Sequence, residues 1–166
     1  MSLVQLRSRG ILDGTISAGD LAAGVGGKVL QVVQGSISTS GATTSSSFVD
    51  TGLSVSITPT NSSNKVLVLV NLNGCLTING GATALQANLL RGSTSICKFA
   101  DAGLNGGSTR NDFGDCSVSY LDSPSTTSST TYKVQAKSSG GATVYWSNQD
   151  NLAISTITAL EISAWL

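Results

Sequence analysis

A chain of 166 residues that is 40% hydrophobic but only 11% charged and 5% aromatic has the size and aliphatic content of one domain. Zero net charge with abundant Val, Leu and Ile argues against a disordered chain, and the lack of any basic stripe, Arg7 and Arg9 being the only close arginine pair, argues against a nucleic-acid partner. The absence of histidine excludes Ser-His-Asp and Cys-His catalysis and His-based metal sites.

The first 27 residues differ from the rest. In "LVQLRSRGILDGTISAGDLAAGVGG", Leu3, Leu6, Ile11, Leu12, Ile16 and Leu21 are too apolar for a plain linker, and the glycine spacing forbids a long helix. At most, "SAGDLAAG" could form one helical turn capped by Ser17. Such a segment cannot bury its own side chains and is expected to bury them on another surface. It reads as an attachment arm, with Arg7 and Arg9 either a contact or simply a solvated end. It lacks the apolar centre of a signal peptide, and the chain has no run of about 18 apolar residues. Synthesis in the cytosol without membrane insertion is therefore expected.

From Lys28 to Leu166 the text is strands and turns. "KVLQVVQ" is a strand, and "SFVDTGLSVSITP" predicts two short strands about Gly52, the second alternating Leu53, Val55, Ile57 with Ser54, Ser56, Thr58. Pro59 stops it and "TNSSN" makes a turn. "KVLVLVNLNG" is apolar on both faces and predicts a central strand covered on both sides. "QANLLRGSTSICKF" predicts two strands joined at Arg91-Gly92-Ser93. The stretch from Asp101 to Asn111 reads as a loop. "DCSVSYLDSP", "TTYKVQAKSSGG", "ATVYWSNQD" and "AISTITALEISAWL" complete the series, with Tyr132, Val134 and Ala136 facing away from Lys133, Gln135 and Lys137. In the last strand Ile154, Leu160 and Ile162 share one face with Thr156 and Thr158. Ile157, Glu161 and Trp165 lie on a mixed opposite face, which reads as a subunit interface. About eight to ten short strands and no convincing helix predict an all-β, jelly-roll-like antiparallel sandwich.

Little in this pattern offers chemistry. Glu161 is the sole glutamate, so a carboxylate pair at a strand end is not evident. Asp101, Asp112 and Asp115, with Asn105 and Asn111, could supply oxygen ligands to calcium. They do not match the EF-hand spacing, and Asp and Asn are also favoured by loops. No metal ligand set, cofactor or catalytic residue is assigned. Cys75, Cys97 and Cys116 are too few and too widely spaced for a disulfide framework and read as buried reduced thiols. The Gly-Gly pairs lack the Lys-Ser/Thr of a phosphate loop. In "VYWSNQD", Tyr145 and Trp146 point to opposite faces, so one ring is expected outside. An exposed Trp146 beside Asn148 would suit stacking on a sugar, with Asn105 and Asn111 as further glycan contacts; the alternative is that the outer ring packs on a neighbouring subunit or the arm.

"GKVLQVVQ", "FVDTGLSVSITPTNSSNKVLVLVNLNG", "LLRGSTSI", "SYLDSPSTTSSTTYKVQAKS" and "STITALEIS" together resemble a family of virion structural modules of tailed bacteriophages, in the family's order. The leader "RSRGILDGTISAGDLAAG" is similar to segments that precede such modules. The resemblance implies a non-enzymatic virion surface protein, a homotrimer whose residues 1–27 engage another virion structural protein. It implies a short tail-fibre type that contacts a host surface glycan, or else a capsid decoration protein; a free lectin-like module is a third reading. The long shaft of a full-size fibre has no counterpart here.

Overall fold

Alternating aliphatic and Ser/Thr residues cannot close a helical stripe but give a strand one wet and one dry face. The computed structural model describes residues 28–78, 83–103, 110–147 and 153–164, and ten strands account for most of them. They are β1 (Val29–Ile37), β2 (Gly41–Thr43), β3 (Val49–Ile57), β4 (Lys65–Ile78), β5 (Ala84–Arg91), β6 (Thr94–Gly103), β7 (Arg110–Asp122), β8 (Thr130–Ser138), β9 (Thr143–Trp146) and β10 (Ser155–Ile162). No helix occurs among the described residues. The predicted arm, residues 1–27, lies outside them.

Two antiparallel sheets form. One contains β1-β10-β4 with β7 on the far edge of β4, and the other runs β3-β8-β5-β6. β4 is long enough to serve twice. Its first half pairs with β10 and its last residues, Leu76–Ile78, pair with β9, which carries β2. Setting aside the short β2 and β9, the chain visits the two sheets in the order of a jelly roll. Only the β5–β6 hairpin keeps two successive strands in one sheet. The predicted jelly-roll sandwich is thus the observed fold.

The core lies between the sheets. Leu53 and Ile57 of β3, Leu85 and Leu89 of β5, and Tyr132 and Val134 of β8 meet Val66, Val68 and Leu72 of β4 and Ile157 of β10, all fully buried. Each such aliphatic contributes about 1.5–3 kcal/mol by leaving water. Gly35 of β1 sits close against the backbone of Ser54 in β3, on the opposite sheet.

Three expectations change. The segment about Gly52 is one strand, β3, with a bulge between Asp50 and Ser54. Gly52 takes φ of 88°, while Thr51 Oγ1 donates to Val134 O at 2.9 Å and accepts from Leu53 N at 3.2 Å, replacing the ladder bonds the bulge removes. The predicted loop at 101–111 is partly strand, since β6 continues to Gly103 and β7 starts at Arg110. Most important, β10 is inverted relative to expectation: Ser155, Ile157, Ala159 and Glu161 face inward, and Thr156, Thr158, Leu160 and Ile162 face out. Ile157 is fully buried against Gly35 and the core and cannot serve as a subunit interface; Trp165 lies outside the described residues.

Candidate functional surface

The fold brings two carboxylates to one end of the first sheet. Gln31, Glu161, Val66 and Asp122 stand in register across β1, β10, β4 and β7. Glu161 and Asp122 are therefore two strands apart, about 10 Å at the backbone. That spacing is one a two-carboxylate hydrolase could use, so their surroundings decide the matter.

Glu161 is fully buried. Its Oε1 accepts from Thr60 N at 2.7 Å, Thr60 Oγ1 at 2.8 Å and Asn64 Nδ2 at 2.6 Å, and its Oε2 accepts from Gln31 Nε2 at 2.6 Å. Asn64 Oδ1 in turn accepts from Ala164 N at 3.0 Å, and Gln31 Nε2 also donates to Thr58 O at 2.7 Å. Burial raises the Glu161 pKa, but bonds from Gln31, Asn64 and Thr60 outweigh it and hold the carboxyl below its ordinary value. The group is a structural clamp that joins the turn after β3 to β1 and β10.

Asp122 is used up in the same way. Arg91 Nη1 donates to both of its oxygens at 2.9 Å, and the buried Tyr132 hydroxyl donates to Oδ2 at 2.7 Å. Burial, and then the bond to Asp122, push the Tyr132 pKa up. A raised folded-state pKa means that this bond's stability is complete below the unfolded value of about 10 and fades at higher pH. Tyr132→Phe is expected to lower stability by about 1.5–3 kcal/mol at pH 7, with the gap to wild type narrowing above about pH 10. Urea denaturation at the two pH values checks both statements. Neither carboxylate is open to a substrate.

The sequence-predicted contacts divide. Tyr145 and Trp146 do point oppositely, but the outward member is Tyr145, and it is half-buried. Trp146 is buried, with Nε1 donating to Thr51 O at 3.1 Å and its indole seated against Gly41, where a Cβ would lie 2.3 Å from the ring. The expectation that Trp146 stacks on a glycan is therefore corrected: its N–H has an internal partner and its face has no solvent. Asn111 takes its place in β7 opposite Thr77, and Asn105 and Asn148 lie outside the described residues.

The acidic grouping is dispersed by pairing. Lys98 Nζ reaches Asp101 Oδ2 at 2.6 Å, and Arg110 Nη2 reaches Asp112 Oδ1 at 2.9 Å. Among the described residues no group of His, Cys, Asp and Glu is arranged to hold a metal. Cys75 and Cys116 are buried free thiols and Cys97 is half-buried. The bond to Cys116, and burial, push Cys75 ionisation up.

The two outer faces are unlike. The β3-β8-β5-β6 face is polar and internally paired: Lys133 Nζ meets Asp50 Oδ2 at 2.9 Å, Gln135 meets Asp50 Oδ1 at 2.7 Å, and Gln86 meets Asp101 Oδ1 at 2.8 Å. Lys133 and Gln135 hold the Asp50 carboxyl below its usual range, and Lys98 and Gln86 do so for Asp101. A dent among Asp50, Gly52, Ser54 and Lys133 holds about 80 Å³. That is below the ~300–1,000 Å³ of typical ligand pockets. The other face, β1-β10-β4-β7, is Ser/Thr-rich at one end and aliphatic at the other. Sequence reasoning treated the outer side of β4 as covered, yet Leu69 is exposed there and Leu67 half-exposed.

No protein-family model matches the chain, and no curated protein matches it. Among solved structures, the chain aligns with "Structure of infectious bursal disease virus Gt strain" at 18% identity and a TM-score of 0.42, over 81% of this chain and 38% of the other. A second alignment, with "Crystal structure of infectious bursal disease virus VP2 subviral particle", has 16% identity and a TM-score of 0.43, over 81% and 33%. The chain spans about a third of the length of these proteins. Alignments this loose bear no functional argument; the jelly roll is shown by the strand order itself.

Proposed function

We propose that this chain is a non-enzymatic virion surface protein, a homotrimeric jelly-roll appendage held to the particle by residues 1–27 and acting as a short tail-fibre-type host-contacting protein. The observation that carries the non-enzymatic part is the saturation of Glu161 and Asp122, the two carboxylates that the fold aligns at one strand end. The ionisable groups inside this domain serve rigidity, as suits an outer appendage. The jelly roll is an architecture shared by viral capsid and lectin domains, and the order of strand motifs resembles that of tailed-phage structural modules. Host contact is assigned to the 101–111 region and to Asn148, because Trp146 is buried and the dent on the polar face is smaller than a typical ligand pocket.

Quantitative mass spectrometry of purified particles tests the assignment through copies of this chain relative to the major capsid protein. Tens of copies are expected for a short fibre. Hundreds would replace the fibre with a capsid decoration protein of the same fold. Absence from the particle would overturn both and leave a free lectin-like module, to be tested by glycan binding of the purified chain.

A further inference from the structure

The ladder between β4 and β7 breaks its rhythm at one place. Up to Leu72 the even-numbered residues of β4, Val66, Val68, Val70 and Leu72, face the core. Bulges follow on either side of Cys75, and Gly74 takes φ of 58°. The phase then reverses: Cys75 joins the core between the sheets, and buried Thr77 pairs with buried Val144. Without the bulge Cys75 would point away from the side that Leu72 occupies.

That reversal brings two thiols together. Cys116 is the register partner of Leu72, and Gly114 that of Cys75, so the cysteines are diagonal neighbours on one inward face. The Cys75 thiol folds back, with Sγ donating to Leu72 O at 3.2 Å, and is also hydrogen-bonded to the Cys116 thiol. Diagonal neighbours ordinarily stand about 7–8 Å apart, a little beyond the ~4.4–6.8 Å between Cα atoms that a disulfide spans. Two glycines give the backbone the missing play. Gly74 precedes Cys75, and Gly114 opposite it, at φ of 73°, has nothing within 4 Å of its Cβ position.

The two thiols are not equivalent. Cys116 lies on β7, which pairs only with β4, and is 9% exposed, whereas Cys75 is 1% exposed. The bond from Cys75 lowers the Cys116 pKa against the opposing effects of burial and Asp115. Cys97 stands in the other sheet, opposite Leu89, and takes no part.

We propose that Cys75 and Cys116 are a latent disulfide, closed by a peroxide when the chain leaves a reducing compartment. The Cys116 thiolate attacks one peroxide oxygen and the O–O bond breaks. The other oxygen leaves as water with the proton Cys116 gave up, and Cys116 becomes a sulfenic acid. Cys75 Sγ then attacks that sulfur, and the S–O bond breaks, its oxygen leaving with the Cys75 proton as a second water. The two thiols lose two electrons and two protons, and the peroxide is reduced to two waters. The bridge staples β7 to β4 beside the residues of β4 that pair with β9. None of this depends on the virion assignment.

The test uses the full chain carrying Cys97→Ser, treated with hydrogen peroxide. The Cys75 and Cys116 peptides are expected to be joined within one chain, with a mass about 2 Da below that of the two thiol peptides together. A link between two chains, a sulfinic or sulfonic acid at Cys116, or two unmodified thiols would overturn the proposal. The urea midpoint is expected to rise on oxidation and to return with dithiothreitol. A bridge that leaves the midpoint unmoved would overturn its role as a staple. With Cys75→Ser added, dimedone is expected to trap a sulfenic acid at Cys116; with Cys116→Ser in its place, Cys75 is expected to stay a thiol. Any other pattern would overturn the order of attack.

Discussion

Gly35→Ala is expected to cost several kcal/mol, or to prevent folding, although it adds one methyl group. A Cβ at Gly35 would lie 2.0 Å from Ser54 O, 3.0 Å from Ser54 C and 3.4 Å from Ile157 Cγ2. The nearest atoms belong to the backbone of β3, so no rotamer change relieves the contact. Separating β1 from β3 would instead open the interface between the sheets beside buried Ile157 and Leu53. Overpacking against mobile side chains costs about 1–3 kcal/mol, and more when backbone must move. Ser36→Ala, one residue on and exposed, is the control and should stay within about 0.5 kcal/mol of wild type. Urea midpoints of the two variants make the comparison; equal midpoints would refute the close-approach account.

The second large effect belongs to Glu161. Glu161→Ala strands the donors of Gln31, Thr60 and Asn64 in a buried site and is expected to destabilise by about 3–5 kcal/mol. Glu161→Gln should cost less, about 2 kcal/mol, because an amide oxygen can still accept from Thr60 and Asn64. Its NH₂ would face Gln31 Nε2, and turning the Gln31 amide to accept would forfeit that residue's bond to Thr58 O.

The pH dependence follows from the lowered carboxyl pKa of Glu161. A depressed folded-state value contributes stability above the unfolded pKa of about 4.3 and loses it as pH falls through the folded value. Wild type should therefore lose stability below about pH 4.5 more steeply than Glu161→Gln. The variant retains part of the acid sensitivity through Asp50 and Asp101, whose pKa values are also lowered. Thermal midpoints from pH 7 down to pH 3 give the comparison, and parallel curves would remove Glu161 from the acid response.

The clamp could have been suspected from the sequence, because a single glutamate among Thr, Ala, Leu and Ile on a strand needs a reason. What could not be read was its partners, since Gln31, Thr60 and Asn64 lie about 100 or more residues away in the chain. The same holds for Trp146. Its opposition to Tyr145 is local geometry, but which ring goes inside depends on Thr51 O as an acceptor and on the gap at Gly41.

By itself the sequence determined that this is an all-β chain of Ser/Thr-faced strands with turns at glycine and asparagine, because a two-residue period and turn chemistry are properties of neighbouring residues. It also determined that the strands close into a sandwich or a barrel, since that many short strands with one apolar face must bury them against each other. Only the tertiary structure decided the phase of β10. On hydropathy, Leu160 and Ile162 outrank Ala159 and Glu161 for the core, yet the interior takes the latter. The reason is what lies opposite: donors from β1 and the turn after β3 for Glu161, and hydroxyl and amide partners from Ser147 and Asn73 for Ser155. Burying that face leaves Leu160 outside in line with Val32, Leu67 and Leu121, and register across four strands is set by long-range pairing alone.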